Sequence, residues 1–124
     1  MSRPSLQGRS ILIVEDEPLI AMDIAQAFEH TGAELTTTNT LHHALLLVEH
    51  DGLSAAILDH AIGNEQSSLL YERLRQRGIP FMIYSGYSKV EDAPPGSLHV
   101  RKPATHEVLM TAMEGLIRNH RNSD

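Results

Sequence analysis

In the stretch Ile11-Leu-Ile-Val-Glu-Asp-Glu17, a short apolar run leads directly into three acids. Three of its four apolar residues are β-branched, which predicts a strand buried on both faces of a sheet. Pro18 follows the acids, and Ile20, Ile24 and Phe28 then recur at helical spacing. A proline in the first turn and this spacing predict an amphipathic helix. A buried strand that leads into such a helix is the first unit of an α/β fold.

The same alternation of apolar runs and helical patterns continues along the chain. We predict strands at Ile11–Val14, Glu34–Thr38, Ala55–Leu58, Phe81–Tyr84 and Ser97–Val100. We predict helices from Pro18 to about Gly32, Thr40 to about His50, Asn64 to Arg77 and Thr105 to Asn119. The polar segment between Ser88 and Gly96 supports at most a short additional helix. Five strands that alternate with helices predict a parallel sheet with helices on both faces.

The composition is that of a single acidic domain without cysteine. The chain has 124 residues, so we expect one domain over residues 1–124, with a core from about 10 to 118 and short polar tails at 1–9 and 119–124. The absence of Cys excludes disulfide bonds and thiolate zinc sites. The net charge of −6 argues against nucleic-acid binding. The sequence shows neither a signal peptide nor a membrane-spanning run, so we expect no membrane association and a cytoplasmic location.

Reactive side chains follow four of the five predicted strands. Glu15 and Asp16 come after the first strand, Asp59 after the third, Ser85 after the fourth and Lys102 after the fifth. Because the carboxyl ends of parallel strands share one edge of the sheet, we expect these side chains to lie together. Each residue alone also fits a helix cap or a turn. Their joint placement favours a functional site.

The expected cluster combines acids that need a cation with groups that bind phosphate. Glu15, Asp16 and Asp59 repel one another unless a cation joins them. Mg²⁺ suits such a site, because it binds through one or two carboxylates and accepts phosphate oxygens. A carboxylate beside it, here Asp59, can act as a nucleophile and form an aspartyl-phosphate. The remaining two groups, Lys102 and Ser85, are of the types that hold phosphoryl oxygens.

Four short motifs make the chain resemble the receiver domains of bacterial two-component response regulators. The motifs are Ile11-Leu-Ile-Val-Glu-Asp-Glu17, Ala56-Ile-Leu-Asp59, Tyr84-Ser85-Gly86 and Lys102-Pro103. The resemblance extends from about Ser10 to Ile117. It implies a flavodoxin-like (βα)5 fold with a five-stranded parallel sheet of order 2-1-3-4-5 and helices on both faces. In this chain we expect the fourth helix of that fold to be short or irregular.

The resemblance implies a role for each residue of the acidic cluster. Asp59 would be the phosphoacceptor, and Asp16 would bind Mg²⁺ directly. Glu15 would complete the acidic pocket. Ala61, two residues after Asp59, matches a position that supplies only its backbone carbonyl to the metal.

The resemblance also implies a conformational switch. Ser85 would be the hydroxyl that moves toward the phosphoryl group, and Lys102 would pair with that group. Pro103 would follow a cis peptide bond. His99 stands where Tyr or Phe is usual, and we expect it, together with Tyr87, to take part in the switch.

Other departures from the family pattern concern output more than chemistry. His60 and Ala104 stand where larger or apolar residues are common. Neither Ala61 nor Tyr87 offers an acid or amide to orient an attacking water, which predicts slow dephosphorylation. The segment Ser85-Gly86-Tyr87 is also similar to a subgroup of alphaproteobacterial stress regulators that carry Phe-Ala-Thr-Gly-Tyr at this place.

We therefore expect a stand-alone response regulator, phosphorylated on Asp59 by a sensor histidine kinase or a phosphotransfer protein, that signals through contacts with an unknown target. It would be a phosphoacceptor switch and not an enzyme in the ordinary sense. One alternative is a protein-interaction module on a receiver scaffold that works without phosphorylation. Another is a small flavodoxin-like enzyme or cofactor binder, which is disfavoured because acids follow the first strand where a glycine-rich phosphate loop would be needed.

Overall fold

The computed structural model describes residues 5–62, 65–86, 93–94 and 97–121. Its strands are β1 (Ser10–Val14), β2 (Glu34–Thr38), β3 (Ala55–Leu58), β4 (Ala61–Ile62), β5 (Glu65–Gln66), β6 (Phe81–Ser85) and β7 (Leu98–Arg101). Its helices are α1 (Pro18–Phe28), α2 (Leu41–Leu47), α3 (Ser68–Gln76) and α4 (His106–Arg121).

Five of the strands form one parallel sheet in the order β2-β1-β3-β6-β7. Because β6 and β7 are the predicted fourth and fifth strands, this confirms the predicted order 2-1-3-4-5. The strand order reverses between β1 and β3, which is where ligands bind in open parallel sheets. The register pairs Val14 with Leu58. Glu15 and Asp59 therefore leave two adjacent strands at the same edge of the sheet.

Helices cover both faces of the sheet, and each face has its own apolar layer. The layer under α1 and α4 includes Ile11, Ile13, Ile24, Phe28, Leu109 and Met113. The layer under α2 and α3 includes Leu12, Val14, Ala44, Leu58, Leu70 and Leu74. Successive residues of β1 thus point to opposite layers, as the pleat of a strand requires. Burial of each large apolar side chain contributes about 1.5–3 kcal/mol, so these layers hold the strand ends in place.

The prediction of a helix from Asn64 to Arg77 is wrong at its start. The helix begins at Ser68, and Ala61–Ile62 pairs antiparallel with Glu65–Gln66 instead. In the sequence, Gly63-Asn64 separates these two pairs of residues, and Gly-Asn is a hairpin-turn dipeptide. The apolar spacing of α3 concealed this turn signal. The hairpin matters for the site because it starts two residues after Asp59.

Two large apolar side chains of the helices face solvent and not the core. Leu69 of α3 and Val108 of α4 fit the helical apolar pattern, yet they are 62% and 48% exposed. Each lies next to a fully buried leucine, Leu70 or Leu109, that takes the inward position. A helix has one inward stripe, and the immediate neighbours of a buried residue lie about 100° away from it.

The short helix considered between Ser88 and Gly96 lies almost entirely outside the described residues, of which only 93 and 94 belong to this segment. In the part of the chain that is described, no helix has both the length and the apolar character needed to cross a membrane.

Candidate functional site

Three carboxylates meet at the carboxyl ends of β1 and β3. The Asp59 N–H donates to the carbonyl of Val14 at 2.9 Å, which keeps the turn after β3 against β1. Glu15, Asp16 and Asp59 each offer an oxygen, and these oxygens lie within 4.8 Å of one another. Glu15 is buried, with 2% of its surface exposed. The expected proximity of the three acids is therefore observed.

Lys102 reaches this cluster from the loop after β7. Its backbone N–H donates to the Ser85 carbonyl at 2.7 Å, which continues the β6–β7 pairing by one residue. Its Nζ lies 2.8 Å from Glu15 Oε1 and 3.7 Å from Asp59 Oδ1. The same ammonium lies 5.5 Å from the centre of the Tyr84 ring. Lys102 thus contacts both acids, and it contacts Glu15 more closely.

The electrostatics of the cluster oppose ionisation of the phosphoacceptor candidate. Burial, followed by the charge of Glu15, raises the pKa of Asp59 to about 6, and the charge of Lys102 only partly offsets this. Burial alone would lower the pKa of Lys102. The hydrogen bond that Lys102 donates to Glu15 and the charge of Asp59 outweigh that effect, so the pKa of Lys102 lies above its ordinary value. A single ammonium does not neutralise the cluster.

This donor set fits a hard divalent cation. Mg²⁺ binds oxygen ligands and usually takes only one or two carboxylates from a protein. Glu15, Asp16 and Asp59 supply carboxylate oxygens at suitable mutual distances. Burial and, after it, the charge of Glu15 raise the pKa of Asp59, and added positive charge beside the carboxylate would act against both effects.

The backbone after Asp59 is held by α3. The hydroxyl of Ser67 lies 2.9 Å from the carbonyl oxygen of Asp59 and 2.7 Å from that of His60. The Ser67 N–H also donates to the His60 carbonyl at 3.1 Å. Residues 60 and 67 therefore form a hydrogen-bonded pair of the hairpin, and the alternation of an antiparallel ladder makes Ala61–Gln66 the pair without such bonds. The ladder thus leaves the Ala61 carbonyl unused.

The predicted switch residues are only partly described. Ser85 ends β6 and is 2% exposed. His99 lies in β7 opposite Ile83, and its Nε2 is buried without a hydrogen-bond partner in the described structure. Tyr87 lies outside the described residues. The peptide bond between Lys102 and Pro103 is cis, as the resemblance implied.

Several polar contacts around the site were not anticipated from the sequence. Besides Ser67, the hydroxyl of Tyr84 accepts the Ala104 N–H at 2.9 Å, which ties the Lys102 loop to β6. The His60 imidazole Nδ1 lies 2.9 Å from the buried Tyr71 hydroxyl. The polar residue at position 60 thus provides a partner for a hydroxyl that the apolar core could not satisfy.

A groove runs beside the acidic cluster between α1, the end of β2 and the start of α2. Its volume is about 510 Å³, and it is lined by the acids Glu15 and Asp16, by apolar residues of α1 such as Met22, and by polar residues that include Thr38 and His43. Leu19 and Met22 of α1 are 79% and 55% exposed. An apolar surface therefore adjoins the acids.

Comparison with known proteins agrees with this geometry. Over residues 11–114 the chain matches the family model described as "Response regulator receiver domain". It is 24% identical over 125 residues to the probable transcriptional regulatory protein TcrX of Mycobacterium tuberculosis, a match that covers 95% of this chain. The chain spans only about half of that relative's length, 53%.

Solved structures show the same fold. The response regulator PhyR from Brucella abortus is 25% identical, with a TM-score of 0.82 over 97% of this chain and 52% of that one. The receiver domain of the sensor histidine kinase PA1611 from Pseudomonas aeruginosa, solved with magnesium in its active-site cleft, is 19% identical, with a TM-score of 0.79 over 90% of this chain and 98% of that one. Since the family model matches most of its length, the chain belongs to the response regulator receiver domain family.

Proposed function

We propose that this protein accepts a phosphoryl group on Asp59 in a Mg²⁺-dependent reaction and passes the signal on through protein–protein contacts. The observation that carries the proposal is the meeting of three carboxylates with one ammonium at the strand-order reversal. Receiver domains act in two-component signalling as phosphoacceptor switches, and the acids and the lysine of this cluster are of the types that we expect such a switch to use.

Asp16, Asp59 and the backbone carbonyl of Ala61 would hold Mg²⁺, with Glu15 completing the acidic pocket. The hairpin supports the part given to Ala61, because its ladder does not use that carbonyl. When bound, Mg²⁺ would supply positive charge that keeps Asp59 ionised and offsets the charge of the incoming phosphoryl oxygens. The magnesium ion in the cleft of the PA1611 receiver domain supports this assignment.

The phosphodonor would be a phosphohistidine of a sensor histidine kinase or a phosphotransfer protein. A carboxylate oxygen of Asp59 attacks phosphorus, the new O–P bond forms, and the P–N bond to the imidazole breaks. The imidazole nitrogen keeps the electron pair and takes a proton from solvent. Lys102, whose Nζ already lies 3.7 Å from Asp59 Oδ1, compensates the phosphoryl charge.

The docking surface for the donor must adjoin Asp59, because the histidine has to come within bonding distance of the carboxylate. The exposed Leu19 and Met22 and the groove beside them provide an apolar surface next to the acids. We place the donor there. Stand-alone action and a cytoplasmic location belong to the same proposal, as does membership of the alphaproteobacterial stress subgroup.

The output would pass through the region of Ser85 and His99. Both lie on the edge half of the sheet, on β6 and β7, and Ser85 is joined to Lys102 through its backbone carbonyl. If Ser85 or Lys102 contacts the phosphoryl group better in one of two conformations of the protein, phosphorylation would shift the equilibrium toward that conformation. The buried Nε2 of His99 has no hydrogen-bond partner among the described residues. A buried polar atom of this kind is unfavourable, so a rotation of the imidazole that provides a partner would be favoured. Tyr87 is included in this switch on sequence grounds.

The test is phosphoryl uptake by the purified protein from acetyl phosphate and Mg²⁺, measured as intact mass. We expect one added phosphoryl group in the wild type and none in Asp59→Asn or with EDTA. After removal of the donor we expect the phosphoprotein to persist for minutes or longer, since Ala61 offers no acid or amide to orient water. A half-life of seconds would contradict the prediction of slow dephosphorylation, and it would leave the prediction of phosphoryl uptake unaffected.

The departures at His60, His99 and Ala104 favour one second candidate, an interaction module that needs no phosphorylation. It predicts a folded protein that takes up no phosphoryl group and an Asp59→Ala variant that still binds the partner. Absence of uptake by folded wild-type protein under all conditions would replace the first proposal with this one.

A further inference from the structure

Ser67 has a buried hydroxyl whose position is unusual for a residue that precedes a helix. It is the N-cap residue of α3 and is fully buried. A serine at an N-cap normally accepts an N–H of the first turn with its side chain. The Ser67 side chain makes no such bond. It faces the carbonyls of Asp59 and His60 instead, at 2.9 and 2.7 Å.

The contact completes the fixation of the phosphoacceptor backbone. The N–H of Asp59 donates to Val14 of β1 at 2.9 Å, and its carbonyl faces the Ser67 hydroxyl. Both backbone polar groups of Asp59 are thus engaged, one by the sheet and one by α3. The three carboxylates lie within 4.8 Å of one another, so their repulsion pushes Asp59 away from β1. A backbone held on both sides resists that displacement.

The first turn of α3 holds the next residue as well. The Ser67 N–H donates to the His60 carbonyl at 3.1 Å, and the His60 imidazole meets the Tyr71 hydroxyl at 2.9 Å. Tyr71 in turn donates its N–H to the Ser67 carbonyl at 3.0 Å and stacks on Phe81 of β6. The carbonyl of Ala61 follows directly, so its direction is set by the residues that α3 holds.

We propose that Ser67 is a positioning residue for phosphoryl transfer: its hydroxyl holds the Asp59–His60 backbone so that the Asp59 carboxylate and the Ala61 carbonyl take the geometry that Mg²⁺ binding and in-line attack require. This rests on the proposed function. Groups that orient metal ligands typically change affinity by about 10–100-fold when removed, and small displacements of reacting atoms have effects of similar size.

The variant Ser67→Ala removes the hydroxyl. Without metal, we expect faster amide hydrogen exchange at Asp59 and His60. With metal, we expect Mg²⁺ affinity, from an NMR titration, to fall about tenfold, and the initial rate of uptake from acetyl phosphate at saturating Mg²⁺ to fall about as much. If the alanine variant folds poorly, Ser67→Cys can replace it. This variant keeps the side-chain volume but donates a weak hydrogen bond, so we expect the same losses of Mg²⁺ affinity and uptake rate. Ser67→Thr keeps the donor and should restore most of the rate.

Thr31→Ala is the matched control. Thr31 is 4% exposed, and its hydroxyl donates to the Phe28 carbonyl at 2.6 Å, far from the acids. It should lose stability without change in Mg²⁺ affinity or uptake. The proposal is overturned if Ser67→Ala binds Mg²⁺ and takes up phosphoryl groups as the wild type does, or loses no more than Thr31→Ala. If wild-type protein takes up none, the proposed function fails, and the Mg²⁺ affinity still decides the role of Ser67.

Discussion

The two ends of the parallel sheet differ in how their polar groups are paired. At the amino end, Thr31 donates to the Phe28 carbonyl, and Ser54 Oγ accepts the Ser10 N–H at 3.0 Å. At the carboxyl end, Glu15 is buried beside the carboxylate of Asp59, with one ammonium for both. The amino end pairs each of these groups with a complementary one, which supports stability. The carboxyl end brings like charges together, which lowers stability and prepares the site for a cation and a phosphoryl group.

The largest effect is expected from removing the Lys102 ammonium, the one that the described residues place beside Glu15 and Asp59. Lys102→Met leaves the buried Glu15 carboxylate without its partner, and we expect a loss of about 3 kcal/mol in the free energy of unfolding without metal. Urea unfolding in EDTA near neutral pH measures it. Uptake of phosphoryl groups should fall by about 100-fold or more. Mg²⁺ should restore part of the stability. A Lys102→Met variant as stable as the wild type in EDTA would contradict the account of the pair.

A smaller effect of opposite sign on the free energy of unfolding is expected when the charge of Asp59, and with it the repulsion from the neighbouring acids, is removed. The folded pKa of Asp59 is about 6, above its ordinary value of 3.8, so the folded state favours the protonated acid. The stabilisation from protonation is complete below about pH 4 and is lost as the pH rises through 6. Without metal, Asp59→Asn should therefore be more stable than the wild type by about 2 kcal/mol above pH 6, with no gain below about pH 4.

Unfolding of Asp59→Asn and the wild type at a series of pH values measures this difference. Mg²⁺ should then stabilise the wild type and not the variant, because only the wild type offers the ionised Asp59 ligand. A stability difference that stays constant from acid to neutral pH would show that Asp59 does not titrate as its surroundings require.

The smallest effect is expected at the amino end. Thr31→Ala leaves the Phe28 carbonyl without its hydroxyl donor, and we expect a loss of about 1 kcal/mol in the free energy of unfolding. Phosphoryl uptake should not change, because the hydrogen-bond partners found for Thr31 among the described residues are Leu6, Phe28 and Ala33, and none of these is a site residue. A fall in uptake with an intact fold would show that the two ends of the sheet are coupled, which would weaken the comparison.

The sequence was sufficient for the parallel sheet and for the edge at which Asp59, Glu15 and Lys102 meet. Apolar runs and helical spacing depend on neighbours in the chain, so they are visible without the fold. The rule that parallel strands share a carboxyl edge then brings distant residues together. The sequence could not predict that Lys102 contacts Glu15 more closely than Asp59, since the two distances, 2.8 and 3.7 Å, differ by less than the width of an atom.

The start of α3 shows the opposite case. Residues 64–77 carry a helical pattern, and the antiparallel pairing of residues 61–62 with 65–66 overrode its first turn. Ser67 precedes α3, at a position where a serine side chain normally accepts an N–H of the first helical turn. Once the hairpin brought the carbonyls of Asp59 and His60 within 3 Å, they replaced the helix N–H groups as partners.

The sequence was thus enough to predict the sheet and the chemical groups at its carboxyl edge, because these follow from local patterns and a general rule of topology. The strand order came from the family resemblance. The hydrogen-bond partner of each polar group became clear only in the folded protein. Lys102 donates to Glu15, the His60 imidazole meets the Tyr71 hydroxyl, and the Ser67 hydroxyl lies on the backbone carbonyl of Asp59. Hydrogen bonds and ion pairs act over short distances and have strict geometry, so their partners are set only when packing has placed the atoms.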